Sequence, residues 1–273
     1  MIRSHLENLI RRSEKAMGLF VTTGFPERTA TVPLMRALAD GEADFIELGM
    51  PFSDPVGEGI PIQRSSEIAL RNGVTVADAF EATSSFKSER VTPVLLMGYA
   101  NPIHAYGAKT FCRSAVDAGV DGLILADISL ESADLIGDAA NASGLELVFL
   151  IAPGTPDERI ARIDEAADGF VYAVSTSGLT GDSLEMLDPI QRYLARARRS
   201  VTRNPLLVGF GIDRHALARE LCRHTDGFIV GSALIRRIES LWANKDLGSE
   251  QRLRGVTDFA LGLRHGERQL NTK

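Results

Sequence analysis

Asp44-Phe45-Ile46-Glu47-Leu48-Gly49-Met50-Pro51-Phe52-Ser53-Asp54-Pro55 begins as a short apolar run and passes into a Gly- and Pro-rich loop that reaches Gln63. The run Phe45–Leu48 is too short for a stable helix. The stretch before it places Val32, Met35, Leu38 and Ala39 at the three- and four-residue spacing of an amphipathic helix. An apolar strand that follows a helix directly is the signature of a parallel sheet covered by helices on its faces. Outward from this unit the same alternation repeats along the chain. The strands expected are Gly18–Thr22, Phe45–Leu48, Pro93–Met97, Gly122–Ala126, Glu146–Ile151, Phe170–Val174, Leu206–Val208 and Gly227–Val230. Eight strand-plus-helix units joined by right-handed crossovers within ~250 residues predict a (β/α)8 TIM barrel, an α/β fold, rather than an open sheet.

An additional helix, about Arg3 to Lys15, precedes the first strand and is expected to cover the barrel bottom. Another, Glu250 to Arg264, closes the sequence with a polar tail. With no break in composition, one domain is expected over residues 1–273: the N-terminal helix in 1–15, the barrel in 16–240, and the C-terminal helix and tail in 241–273.

The 273 residues are 44% hydrophobic and 24% charged, with 30 Lys and Arg against 36 Asp and Glu, a net charge of −6. That balance argues against a nucleic-acid binder, which concentrates basic residues on one face. The basic stretch Arg192 to Arg203 reads as a solvated helix terminus. No apolar run approaches the ~18–20 residues of a bilayer span. The N-terminus lacks a signal peptide's apolar block, and the expected setting is the cytoplasm. Cys112 and Cys222 read as small core residues, and neither they nor the five histidines have metal-ligand spacing.

In a barrel, function belongs to the loops at the C-terminal strand ends. Glu47 is a carboxylate inside an otherwise apolar strand, and burial would raise its pKa into the range useful for acid/base work. A salt-bridged structural role is the competing reading. In the loop that follows, Asp54 before Pro55 reads either as a turn former or as a lid residue, while Glu58, between two glycines, is the better second acid. Val208-Gly209-Phe210-Gly211 and Val230-Gly231-Ser232-Ala233 follow the last two strands, where barrel enzymes bind phosphate. The Gly231-Ser232 amides would open a helix whose unpaired N–H groups attract an anion. Ser177-Gly178-Leu179-Thr180-Gly181 suits a lid or a surface turn. No Walker-type phosphate loop, nucleophile elbow or strand-borne lysine is present, which leaves carboxylate chemistry.

Glu47-Leu48-Gly49-Met50-Pro51-Phe52-Ser53-Asp54-Pro55, Leu96-Met97-Gly98-Tyr99-Ala100-Asn101-Pro102, Ser177-Gly178-Leu179-Thr180-Gly181, Gly209-Phe210-Gly211-Ile212 and Gly231-Ser232-Ala233 together resemble the tryptophan synthase alpha subunit family, in order and at its spacing, from about Gly18 to Ile238. The resemblance implies a barrel that splits indole-3-glycerol phosphate into indole and glyceraldehyde 3-phosphate by a retro-aldol reaction, with no metal or organic cofactor. It implies Glu47 as general acid/base and the acid at position 58 as the group holding the indole N–H. Phe20, Ile62, Tyr99, Tyr172 and Phe210 match the indole pocket. Gly181, Gly211, Gly231 and Ser232 match the phosphate site. Loops two and six, with Asp54 and Thr180, match the segments that close over substrate and meet a beta subunit in an α2β2 heterotetramer. Three positions depart from the family pattern: Glu58 stands where Asp is usual, Ser129 where Pro is common, and Thr176 where many members have Arg. A free-standing lyase, or a catalytically weak regulatory relative, remains open at this point.

Overall fold

In the computed structural model, which describes residues 1–174, 187–209 and 211–266, eight parallel strands pair in chain order and the last pairs with the first, closing the barrel. They are β1 Ala16–Thr22, β2 Phe45–Gly49, β3 Val94–Gly98, β4 Gly122–Leu125, β5 Glu146–Ile151, β6 Val171–Val174, β7 Leu206–Gly209 and β8 Gly227–Val230. The helices, in chain order, are α1 Ile2–Arg11, α2 Thr31–Asp40, α3 Ile60–Arg71, α4 Val76–Lys87, α5 Ala100–Tyr106, α6 Ala108–Asp117, α7 Asp134–Ser143, α8 Asp157–Ala166, α9 Leu187–Ser200, α10 His215–Leu221, α11 Ser232–Ala243 and α12 Ser249–His265. Two helices rather than one fill each of the β2–β3 and β3–β4 crossovers. No described helix is long and apolar enough to cross a membrane.

Strand ends differ from the apolar runs because pairing, not hydrophobicity, ends a strand. β1 starts at Ala16 rather than Gly18 because Ala16 and Met17 pair with Gly227 and Phe228 of β8. Gly98 and Gly209 are strand residues because Leu125 and Ile229 pair with them. The expected loop to Gln63 is shorter than predicted: α3 begins at Ile60 with Pro61 in its first turn, where a missing N–H and a preset φ are both tolerated. α1 is shorter too, ending at Arg11 before Ser13 adopts a left-handed φ of 60°.

The barrel interior is filled by pairing large side chains with glycine. Gly18 has no room for a Cβ because the Phe45 ring lies 2.3 Å from where it would stand. Phe45 in turn packs on Phe170 at 5.6 Å between ring centroids. At the N-terminal rim, three aspartates immediately precede strands and each closes the ladder of the strand before. The Asp44 carboxylate accepts the Met17 N–H (2.7 Å), Asp121 that of Val94 (2.9 Å) and Asp226 that of Leu206 (2.8 Å). Each also holds a basic side chain, respectively Arg264, Lys87 and Arg198. Beneath this rim α1 buries Ile2, Leu6 and Leu9. The Arg3 N–H donates to the buried Glu146 carboxylate of β5 at 3.0 Å, so an acid from the barrel satisfies the helix N-terminus. Cys112 and Cys222 are free and buried, as core residues should be.

Candidate active site

β2 exposes nothing: all five of its residues are buried. The pleat sends Phe45, Glu47 and Gly49 to the barrel interior, and register places Phe20 of β1 and Leu95 of β3 beside Glu47. Gly49 leaves space that the Phe20 ring fills, with ring carbon 2.6 Å from where a Cβ would stand. Glu47 is therefore surrounded by apolar groups. It is 1% exposed, and its Oε1 has no hydrogen-bond partner among the described residues. Burial alone pushes its pKa up to about 8 from the usual 4.5. No salt bridge to Glu47 exists among the described residues. Tyr172 lies close enough that, after burial, the Glu47 charge is the second cause lifting its phenol pKa. A neutral carboxylic acid in such a pocket can give a proton to a ligand atom and, once ionised, is a strong base with little solvation to lose.

Glu58 enters from the loop above. Gly57, with φ +77°, makes the turn that brings it in. Burial raises the Glu58 pKa and the neighbouring Tyr99 phenol lowers it, while Oε2 has no hydrogen-bond partner among the described residues. β2 and the loop after it thus carry two partly or wholly buried acids, each with a buried oxygen that has no partner among the described residues. The loop backbone is held at both ends. The Gln63 amide donates to the Glu58 carbonyl at 2.8 Å, and the Tyr99 hydroxyl meets both the N–H (3.1 Å) and the carbonyl (3.2 Å) of Val56.

The third component is the start of α11, which opens at Ser232 with Gly231 as its N-cap, as its Gly-Ser sequence predicts. The first N–H groups of a helix have no intrahelical acceptors and can attract an anion. This helix start adjoins the other residues. A Cβ on Gly231 would lie 3.3 Å from Ile62 and 3.6 Å from Phe20, and one on Gly59 would lie 3.1 Å from Ser232 Oγ. At the rim of β1, Thr22 and Ser65 of α3 share a 2.6 Å hydroxyl contact that ties the two elements.

The structure thus brings together Phe20, Glu47, Glu58, Ile62, Tyr99, Tyr172, Gly231 and Ser232. Ile62 reaches the pocket from a helix, not from a loop. Gly211 has a left-handed φ of +78° and is exposed. Asp54 is exposed and accepts from Ser53 Oγ at 2.5 Å, which matches the turn-forming alternative. Thr180, Gly181 and Phe210 lie outside the described residues, as does Thr176. The sequence reading noted Gly59 only as a neighbour of Glu58, and the structure presses it against Ser232; Gly209, read as part of the strand-seven glycine cluster, has its missing side chain replaced by the Tyr172 hydroxyl, 2.3 Å from the Cβ position. Among the described residues no group of three or more His, Cys, Asp or Glu could hold a metal ion.

The family described as "Tryptophan synthase alpha chain" matches residues 6–261. The chain is 40% identical over 264 residues to the tryptophan synthase alpha chain of Azoarcus sp. strain BH72, covering 96% of this chain and 95% of that one. It is 42% identical over 263 residues to that of Dechloromonas aromatica strain RCB, covering 96% and 97%. Among solved structures, the tryptophan synthase subunit alpha of Legionella pneumophila str. Paris superimposes with a TM-score of 0.87 at 34% identity, covering 98% of each chain.

Proposed function

The chain belongs to the tryptophan synthase alpha chain family, whose lyase reaction cleaves indole-3-glycerol phosphate, and we propose that Glu47 moves the protons of that reaction here. Neutral Glu47 protonates indole C3, which turns the ring into an electron sink. The resulting carboxylate then takes the proton of the side-chain hydroxyl beside the breaking bond. The O–H electron pair becomes the carbonyl of glyceraldehyde 3-phosphate, and the carbon–carbon pair returns to the ring to release indole. Glu58 accepts a hydrogen bond from the indole N–H and stabilises the positive charge that develops there. Phe20, Ile62 and Tyr172 supply the apolar walls. The N-terminal amides of α11, with Ser232, hold the phosphate, and Phe210, Gly181 and Gly211 complete the two subsites by the family pattern.

The observation that supports this most is the state of Glu47: fully enclosed, one oxygen unpartnered, and pushed up to about 8, which keeps it a proton donor near neutral pH. Single-turnover cleavage by Glu47→Gln tests it. Loss of about 1,000-fold or more is expected for removing the one acid/base group, and an unchanged rate would refute the assignment. No observation favours a free-standing or catalytically weak chain. We also propose a beta subunit as partner, in an α2β2 assembly seated over the barrel mouth, and a cytoplasmic setting, which accords with two free thiols in the core.

A further inference from the structure

We propose that Tyr99 is the positioning residue of loop two: its hydroxyl holds the Val56 backbone and so fixes the stretch of loop that carries Glu58. This role presupposes the indole-holding function of Glu58 given above. The family pattern makes Tyr99 a wall of the indole pocket, yet its hydroxyl is committed elsewhere. Tyr99 is 2% exposed, its ring lies 5.0 Å from that of Phe52 in the same loop, and its oxygen accepts the Val56 N–H. A phenol has one proton to donate. Here the Val56 carbonyl takes it at 3.2 Å. Glu58 Oε2 is buried without a hydrogen-bond partner among the described residues, so the placing of this side chain depends on the loop that carries it.

Tyr99 is itself fixed from behind. It is the N-cap of α5, and both oxygens of the Asp127 carboxylate accept the Ala100 N–H, at 2.9 and 3.2 Å. Met50 packs over Gly98, so the β3 end cannot shift without moving loop two.

A double-mutant cycle on kcat/KM for indole-3-glycerol phosphate tests it, using Tyr99→Phe, which keeps the ring against Phe52, together with Glu58→Ala. Tyr99→Phe is expected to cost about tenfold in the parent chain and less than about twofold when Glu58 is already Ala. The limb of the pH profile that titrates with Glu58 should also move upward in Tyr99→Phe, since the phenol lowers that pKa. Equal costs in both backgrounds, or no cost in the parent, would overturn the positioning role. Inorganic phosphate affinity, read in parallel, should be unchanged in Tyr99→Phe; a parallel loss would mark general disruption of the site and would also overturn it. Unchanged activity in Glu58→Ala alone would instead remove the indole-holding role on which this one stands.

Discussion

Replacing Glu47 by Gln should make the protein more stable and inactive at once, and the gain should depend on pH in a way the structure sets. In the folded chain Glu47 keeps its proton until about pH 8, whereas the unfolded chain releases it at 4.5. Between those values the native state binds a proton that the unfolded state does not, so its stability falls as pH rises. At about 1.4 kcal/mol per pKa unit, the stability lost to Glu47 is about 1 kcal/mol at pH 5, about 3 at pH 7 and close to 5 at pH 9. Gln is neutral throughout and avoids this loss, while its hydrogen-bonding differences from a neutral Glu do not change with pH. Urea unfolding of both proteins at the three pH values measures the difference as a shift in midpoint at constant slope. A gap between the two that stays the same from pH 5 to pH 9, or a Gln variant that is the less stable at pH 9, would refute the reasoning that burial raises this pKa. The wild-type kcat/KM should correspondingly fall above about pH 8 as the proton donor is lost.

Three other outcomes follow from local geometry. Gly59→Ala puts a methyl group 3.1 Å from Ser232 Oγ, and should weaken inorganic phosphate binding by about threefold to tenfold, measured by calorimetry, with little change in stability. Gly209→Ala would set a carbon 2.3 Å from the Tyr172 hydroxyl, which must move; kcat/KM should drop at least about tenfold and unfolding should ease by about 1–3 kcal/mol. Asp164→Ala removes a buried carboxylate that accepts the N–H groups of Thr202, Arg203 and Asn204 and the Asn204 amide; about 3–5 kcal/mol of stability should go, while kcat and KM of the folded fraction stay as they were.

The barrel was legible in the sequence because each strand is buried on both faces, so that even a four-residue run such as Gly227–Val230 stands out between helical periods. Glu47 was legible for the opposite reason: a carboxylate inside such a run has a cost that needs an explanation. Gly231-Ser232 was readable because helix starts have a local chemistry. What stayed hidden depends on partners distant in sequence. The start of β1 at Ala16 is decided by β8, more than two hundred residues away. The Asp-before-strand feature at Asp44, Asp121 and Asp226 is visible in the sequence in hindsight, but its meaning requires knowing which N–H lies alongside. The same holds for Tyr99, whose ring suits a pocket wall by type, and whose hydroxyl is tied to Val56 only because loop two folds back over β3.

The helix under the barrel has one more consequence. With Ile2, Leu6 and Leu9 packed against the floor and Glu146 holding the Arg3 N–H, the barrel is a vessel stoppered at one end. On the proposed reading, a ligand that enters past loop two leaves by the same doorway. An uncharged product freed beside Glu47 would find α1 across the floor formed by the described residues, so its escape would be timed by the doorway. Any protein that seats on that rim would intercept the whole of the outward traffic without having to open a second route.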